Sequence, residues 1–129
     1  MTAALLDTHV FLWYIQGSLT LSASAKDIIE ARENRIYLSI ASLWEIAIKV
    51  GLGKLELQSS FQDLRQLLQQ FDIETLPITF DDAALYLTLP LHHRDPFDRM
   101  LIAQAIVHDL IMISRDEQFD AYPIRRSWA

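Results

Sequence analysis

Residues 36–50 read IYLSIASLWEIAIKV, and the change of period inside this stretch decides the fold. Ile36–Ile40 has the β-branched and aromatic content of a buried strand. Ser42–Val50 then spaces Leu43, Ile46, Ala47 and Val50 along one face of a helix. A short apolar run passing straight into an amphipathic helix is half of a βαβ unit. Gly51 and Gly53 end that helix.

The same alternation runs outward in both directions. Ala3–Leu6 reads as a short buried strand, followed by a helix over Thr8–Ile15 that ends near Gly17. Ser22 is placed to cap a helix through Arg32, with Ala25, Ile28 and Ile29 on one face. Phe61–Phe71 is the clearest helical period, with Phe61, Leu64, Leu67, Leu68 and Phe71 on one side. Ile73–Ile78 reads as a strand with Pro77 at its end. Thr79 caps a helix to about Leu89, where Pro90 stops it. Phe97–His108 is the next helix, Leu110–Ser114 a strand, and Tyr122–Ile124 a last edge strand. The order β-α-α-β-α-α-β-α-α-β-(α)-β predicts an α/β fold: a three-layer α/β/α sandwich around a mainly parallel sheet of about five strands.

The 129 residues make a single domain, 1–129, with half of them hydrophobic and a core available without staples. Cysteine is absent, which excludes disulfides, a zinc–thiolate site and a thiol nucleophile, and suits a reducing cytoplasm. The start, MTAALLDTHVFLWYIQG, has no basic leader, and Asp7 and His9 break its apolar run, so no signal peptide is expected. No apolar stretch approaches the roughly 20 residues that span a bilayer. A cytoplasmic protein without a membrane partner is the expectation. The net charge of −6 counts against a nucleic-acid partner. Acids gathered at one site would supply much of that excess, and a bound cation would reverse its sign there.

Four acids occupy equivalent places. Asp7 ends AALLD, Glu45 lies in the first turn after IYLSIAS, Asp98 opens FDRMLIAQAIV, and Asp116 follows LIMISR. Each alone has a structural explanation. Asp7 can cap the helix after its strand, and Ser42-Leu-Trp-Glu45 has the form of a capping box. Glu45 and Lys49 make a favourable i, i+4 pair. Asp95-Pro-Phe-Asp98 puts a cap at Asp95 and proline at the first helical position. Asp116 can cap the turn Glu117–Asp120. Together the four point elsewhere. In right-handed βαβ units, strand C-termini and helix N-termini share one edge of the sheet, where ligands of such sheets bind. Carboxylates gathered there repel unless protons or a hard cation relieve them.

LLDTH, SLWEIAIK, DPFDRMLIAQA and ISRDEQF together resemble the PIN-domain ribonucleases, most closely the VapC-like toxins of bacterial toxin–antitoxin pairs. The resemblance covers essentially the whole chain, and DPFDRMLIAQA is its most specific member. It implies an α/β/α sandwich with an acidic Mg²⁺ or Mn²⁺ site and hydrolysis of RNA phosphodiester bonds. The family's acids fall on Asp7, Glu45, Asp98 and Asp116, which would hold the metal and carry catalysis. The small hydroxyl residue two before the last acid falls on Ser114, and the hydroxyl residue after the first acid on Thr8. Both would act as hydrogen-bond partners behind the metal ligands. A cognate antitoxin protein and a homodimer are also implied.

Arg99 and Arg115 adjoin site acids and are candidates to grip RNA phosphates, as is Lys49 one turn past Glu45. Charge balance beside the carboxylates is the competing reading for all three. Adjacent His92 and His93 make a poor chelating pair and read as a solvated loop; Asp95 reads as a helix cap. Trp13, Tyr14 and Trp44 suit packing, with a groove near Phe11–Ile15 and Trp44 as a place for an antitoxin helix.

Rival folds lack their residues. A receiver-like signalling domain with a Mg²⁺ pocket needs a late lysine, and no lysine follows Lys54. A dinucleotide-binding domain needs a glycine-rich turn after the first strand. A haloacid-dehalogenase-like phosphatase would place an aspartate where His9 stands. A PIN-fold interaction module without catalysis would have no use for all four acids.

Overall fold

β1 (Ala3–Leu6) is the middle strand of the sheet, and its alternating side chains feed two separate cores. Ala4 and Leu6 pack on one face, with Val10 and Phe11 from the following helix; Leu5 points to the other, with Leu101 and Ile102. This period-2 division of a wholly apolar strand is the signature of a sheet covered on both sides. The computed structural model describes residues 1–128.

β2 (Arg35–Ser39) and β3 (Ile73–Leu76) lie on one side of β1, and β4 (Ile111–Ile113) and β5 (Arg126–Ser127) on the other. The order is β3-β2-β1-β4-β5 and every pairing is parallel. Helices α1 (Thr8–Gln16), α2 (Ala23–Glu30), α3 (Ile40–Gly51) and α4 (Asp63–Gln70) bring residues to the first core. Helix α6 (Pro96–Val107) fills much of the second, and α5 (Phe80–Thr88) packs against it. The predicted order of elements and the three-layer sandwich are what the chain adopts.

Several local signals act as read. Ser22 Oγ accepts from the Ala25 amide, and Gly17 ends α1 in the left-handed conformation at φ 63°. Thr79 and Asp82 form a reciprocal capping box at the start of α5.

Three boundaries differ from the sequence reading. Ser39, not Ser42, caps α3, its Oγ accepting from the Ala41 amide at 3.0 Å. The sheet ends at Ser39 and the helix starts at once, so Ser42 is already inside it and the capping box with Glu45 does not form. Phe61 lies in a turn before α4 rather than on its apolar face. The last strand is Arg126–Ser127, not Tyr122–Ile124. Tyr122 is drawn into the second core, and the chain reaches the β4 edge only afterwards, where Met112 and Ser114 donate to the Arg125 and Ser127 carbonyls.

Between β3 and β4 the chain crosses from one side of β1 to the other. The crevice at the carboxyl ends of β1 and β4 is therefore the point where the strand order reverses, the usual ligand position in such a sheet.

Candidate metal centre

Asp7 is the first residue past β1, and Ser114 the first past β4. Because Leu6 and Ile113 are in register, the next pair meets across the crevice. Ser114 Oγ donates to Asp7 Oδ2 at 2.7 Å and accepts from the Asp116 amide at 3.0 Å. One hydroxyl thus fixes both the first and the last acid of the set. Asp7 is buried, as is Glu45 in the second turn of α3. Lys49 Nζ stands 3.0 Å from Glu45 Oε2, while Glu45 Oε1 is buried without a hydrogen-bond partner among the described residues. Asp98 lies in the first turn of α6. That turn is capped by Asp95, whose Oδ1 accepts from the Phe97 and Asp98 amides. Asp116 Oδ1 caps the short 3₁₀ turn Glu117–Ala121 through the Gln118 amide.

The charges feel one another. Burial first, then the carboxylates of Asp7, Asp95, Glu45 and Asp116, push the Asp98 carboxyl up to about 8. Burial also raises Asp7, against the opposing hydrogen bond from Ser114. Burial and crowding thus favour protons on the Asp98 and Asp7 carboxyls. With a hard cation the cluster would not need them. All-oxygen donors, a buried carboxylate oxygen with nothing to accept from, and an opening to solvent at Asp116 fit a divalent ion that keeps part of its water.

The structure corrects the reading of the histidines. His92 is exposed, but His93 is buried, with Nε2 3.2 Å from Asp98 Oδ2 and 3.5 Å from Asp116 Oδ2. Together, His93, Asp98 and Asp116 offer possible ligand atoms within 4.8 Å of one another. No local pattern separates His93 from His92. Tyr122, 29 residues away, accepts from the His93 amide and turns it inward.

Arg99 also departs from expectation. It is buried, donating to the carbonyls of Leu89, Pro90 and His93 over the face of Tyr86. A guanidinium spent on three carbonyls is a clamp on the 89–95 loop, not a phosphate grip. Thr8 Oγ1 donates to Ser42 Oγ at 2.8 Å, joining α1 to α3 instead of holding a site acid. Arg115 is exposed, its guanidinium 4.8 Å above the Trp13 ring. The expected groove along Phe11–Ile15 and Trp44 does not form as one surface. Phe11 is core, and Trp13 meets Trp128. Trp44 is 60% exposed, edge-on to Phe97, beside a separate apolar cleft of about 280 Å³ that Ile78, Tyr86 and Met100 also line.

The family model of the PIN domain matches residues 4–124. The chain belongs to the PIN domain family. Among curated proteins, Ribonuclease VapC22 of Mycobacterium tuberculosis is 28% identical to this PIN domain over 123 residues, covering 95% of this chain and 93% of that one. VapBC2 from Rickettsia felis, solved bound to a DNA fragment from its promoter, superposes with a TM-score of 0.75 at 18% identity, covering 99% of this chain and 100% of that one. DNA-bound VapBC from Salmonella typhimurium gives 0.70 at 15% identity over 98% of both chains. At these identities the solved structures share the PIN fold. Among the described residues no helix is long and apolar enough to cross a membrane.

Proposed function

We propose that this PIN domain is a metal-dependent endoribonuclease, the toxin of a toxin–antitoxin pair, hydrolysing RNA phosphodiester bonds at the crevice between β1 and β4. The observation that carries this is the convergence of buried Asp7 and Glu45 with half-buried Asp98, together with a buried Glu45 Oε1 that has no hydrogen-bond partner among the described residues. Similarity to a protein named as a ribonuclease, and to chains solved in toxin–antitoxin complexes, supports the same reading.

Asp7, Glu45 and Asp98 would hold Mg²⁺ or Mn²⁺, and Asp116 would complete the set or orient the attacking water. Once bound, such an ion would supply Lewis-acid chemistry, polarising a phosphate and lowering the pKa of water. The rest falls to the chain. Ser114 keeps the Asp7 carboxylate turned toward the crevice. The Thr8–Ser42 bond holds the first turns of α1 and α3 together, and so the spacing of Asp7 and Glu45. Lys49 balances Glu45 and, with exposed Arg115, offers a positive rim for the RNA backbone. An antitoxin chain and a second copy of the toxin are the protein partners of this reading.

The test is cleavage of structured RNA by the purified protein with Mg²⁺, Mn²⁺ or EDTA, beside Asp98→Asn prepared identically. Cutting that needs the metal and disappears in the variant is the expected result. Equal cutting by a folded Asp98→Asn protein sinks the assignment.

A further inference from the structure

The 89–95 loop is held by several buried hydrogen bonds, and three contacts bear directly on His93. Tyr122 Oη accepts from the His92 and His93 amides, at 3.1 and 2.8 Å, and donates to the Pro90 carbonyl at 2.7 Å. Arg99 donates to the carbonyls of Leu89, Pro90 and His93. The imidazole stacks against the Phe119 ring at an interplanar angle of 29°, with centroids 5.7 Å apart. Loops normally spend few buried polar groups on themselves.

The hydrogen-bond partners fix the ring's chemistry. His93 Nδ1 lies 3.3 Å from the Asp95 backbone nitrogen, a group that can only donate. Nδ1 must then carry a lone pair, which puts the proton of the neutral ring on Nε2. A histidine that binds metal through Nε2 needs the opposite arrangement, with Nδ1–H donating to a carboxylate or carbonyl. Nε2 is buried with no acceptor aligned on it, yet it stands 3.2 Å from Asp98 Oδ2 and 3.5 Å from Asp116 Oδ2. Those two acids come from different elements: the first turn of α6 and the segment after β4. A donor placed between them can serve either or both when they turn toward an ion.

We propose that His93 is a positioning residue of the metal centre, an imidazole whose Nε2–H steadies the Asp98 and Asp116 carboxylates without ligating the ion. The proposal rests on the metal-dependent reading above and names one more residue of the same site. It assigns the Tyr122–Arg99 clamp a purpose, which is to hold that ring in place. It also separates two histidines that stand side by side in the sequence.

The test compares wild type, His93→Ala and His93→Gln by titration with Mn²⁺, following free Mn²⁺ by electron paramagnetic resonance, so that binding is read without activity. Thermal melts in EDTA check that each variant is folded. Removing a group that orients metal ligands commonly weakens the metal by 10–100-fold, so His93→Ala should bind Mn²⁺ about tenfold more weakly. The Gln side-chain amide can supply an N–H at nearly the same reach, and His93→Gln should stay within about threefold of wild type. Wild-type affinity in His93→Ala overturns the proposal. Equal, large losses in folded Ala and Gln variants also overturn it, since they mark a direct ligand. If His93→Ala does not fold, a tenfold loss in folded His93→Gln decides against it in the same way. A wild-type protein that binds no Mn²⁺ at all removes the underlying metal reading, and that failure is visible before any variant is compared.

Discussion

Replacing Asp98 with Asn should abolish cutting and yet stabilise the metal-free protein, increasingly so as the pH rises. In the folded chain the Asp98 carboxyl is pushed up to about 8, from 3.8, by burial and by Asp7, Asp95, Glu45 and Asp116. Between those two values the folded state keeps a proton that the unfolded state has lost. Stability is therefore greatest below the unfolded value, falls as pH rises through the window, and levels off above the folded value. At about 1.4 kcal/mol per pH unit the full shift corresponds to roughly 6 kcal/mol. Water and counter-ions entering an open crevice reduce this to about 3 kcal/mol. About 1.4 kcal/mol of that should fall between about pH 5 and pH 8, by the same linkage. Asn has no proton to hold, so the variant escapes this loss. For a chain of this size 1 kcal/mol moves Tm by roughly 3–5 °C, so the gap in favour of Asp98→Asn should widen by about 4–7 °C over that range. Scanning calorimetry in EDTA at the two pH values measures it. Saturating Mg²⁺ should then raise the wild type by about 2.7 kcal/mol at a hundred times Kd and leave the variant nearly unmoved. A Tm gap that stays constant or narrows with pH would refute the claim that crowded carboxylates strain this fold.

Two further outcomes follow from the geometry. Ser114→Ala removes the donor on Asp7 and the acceptor of the Asp116 amide, so it should cost about 1.5–3 kcal/mol in chemical unfolding and reduce RNA cleavage at least tenfold. Arg99→Ala strips three loop carbonyls of their donor and should cost about 3 kcal/mol, while the salt dependence of RNA binding by the folded variant stays unchanged, because this guanidinium touches no phosphate.

Much of the site is legible as soon as the fold is. Asp7, Asp98 and Asp116 stand where a strand has just ended or a helix just begun, with Glu45 one turn further into α3, and a parallel sheet sends those places to one edge. The caps at Ser22, Thr79 and Asp95 are equally readable, because a cap acts on an amide two or three residues away. The cap of α3 was misread for a related reason. Both Ser39 and Ser42 have the right chemistry, and only the point where β2 stops pairing with β3 chooses between them.

What the sequence determined by itself is therefore the order of elements, the parallel sandwich and the four acids, since periodicity and capping operate within about a turn of chain. Tertiary structure decided which polar side chains face the crevice. His93 turns inward because Tyr122 and Phe119, both more than twenty residues further on, meet its backbone and its ring. Arg99 is drawn inward because carbonyls in the preceding loop take its donors. Two neighbouring histidines, or two arginines that each adjoin an acid, carry the same local signal. Their roles part only when distant groups compete for their hydrogen bonds, and no pattern of nearby residues records that competition.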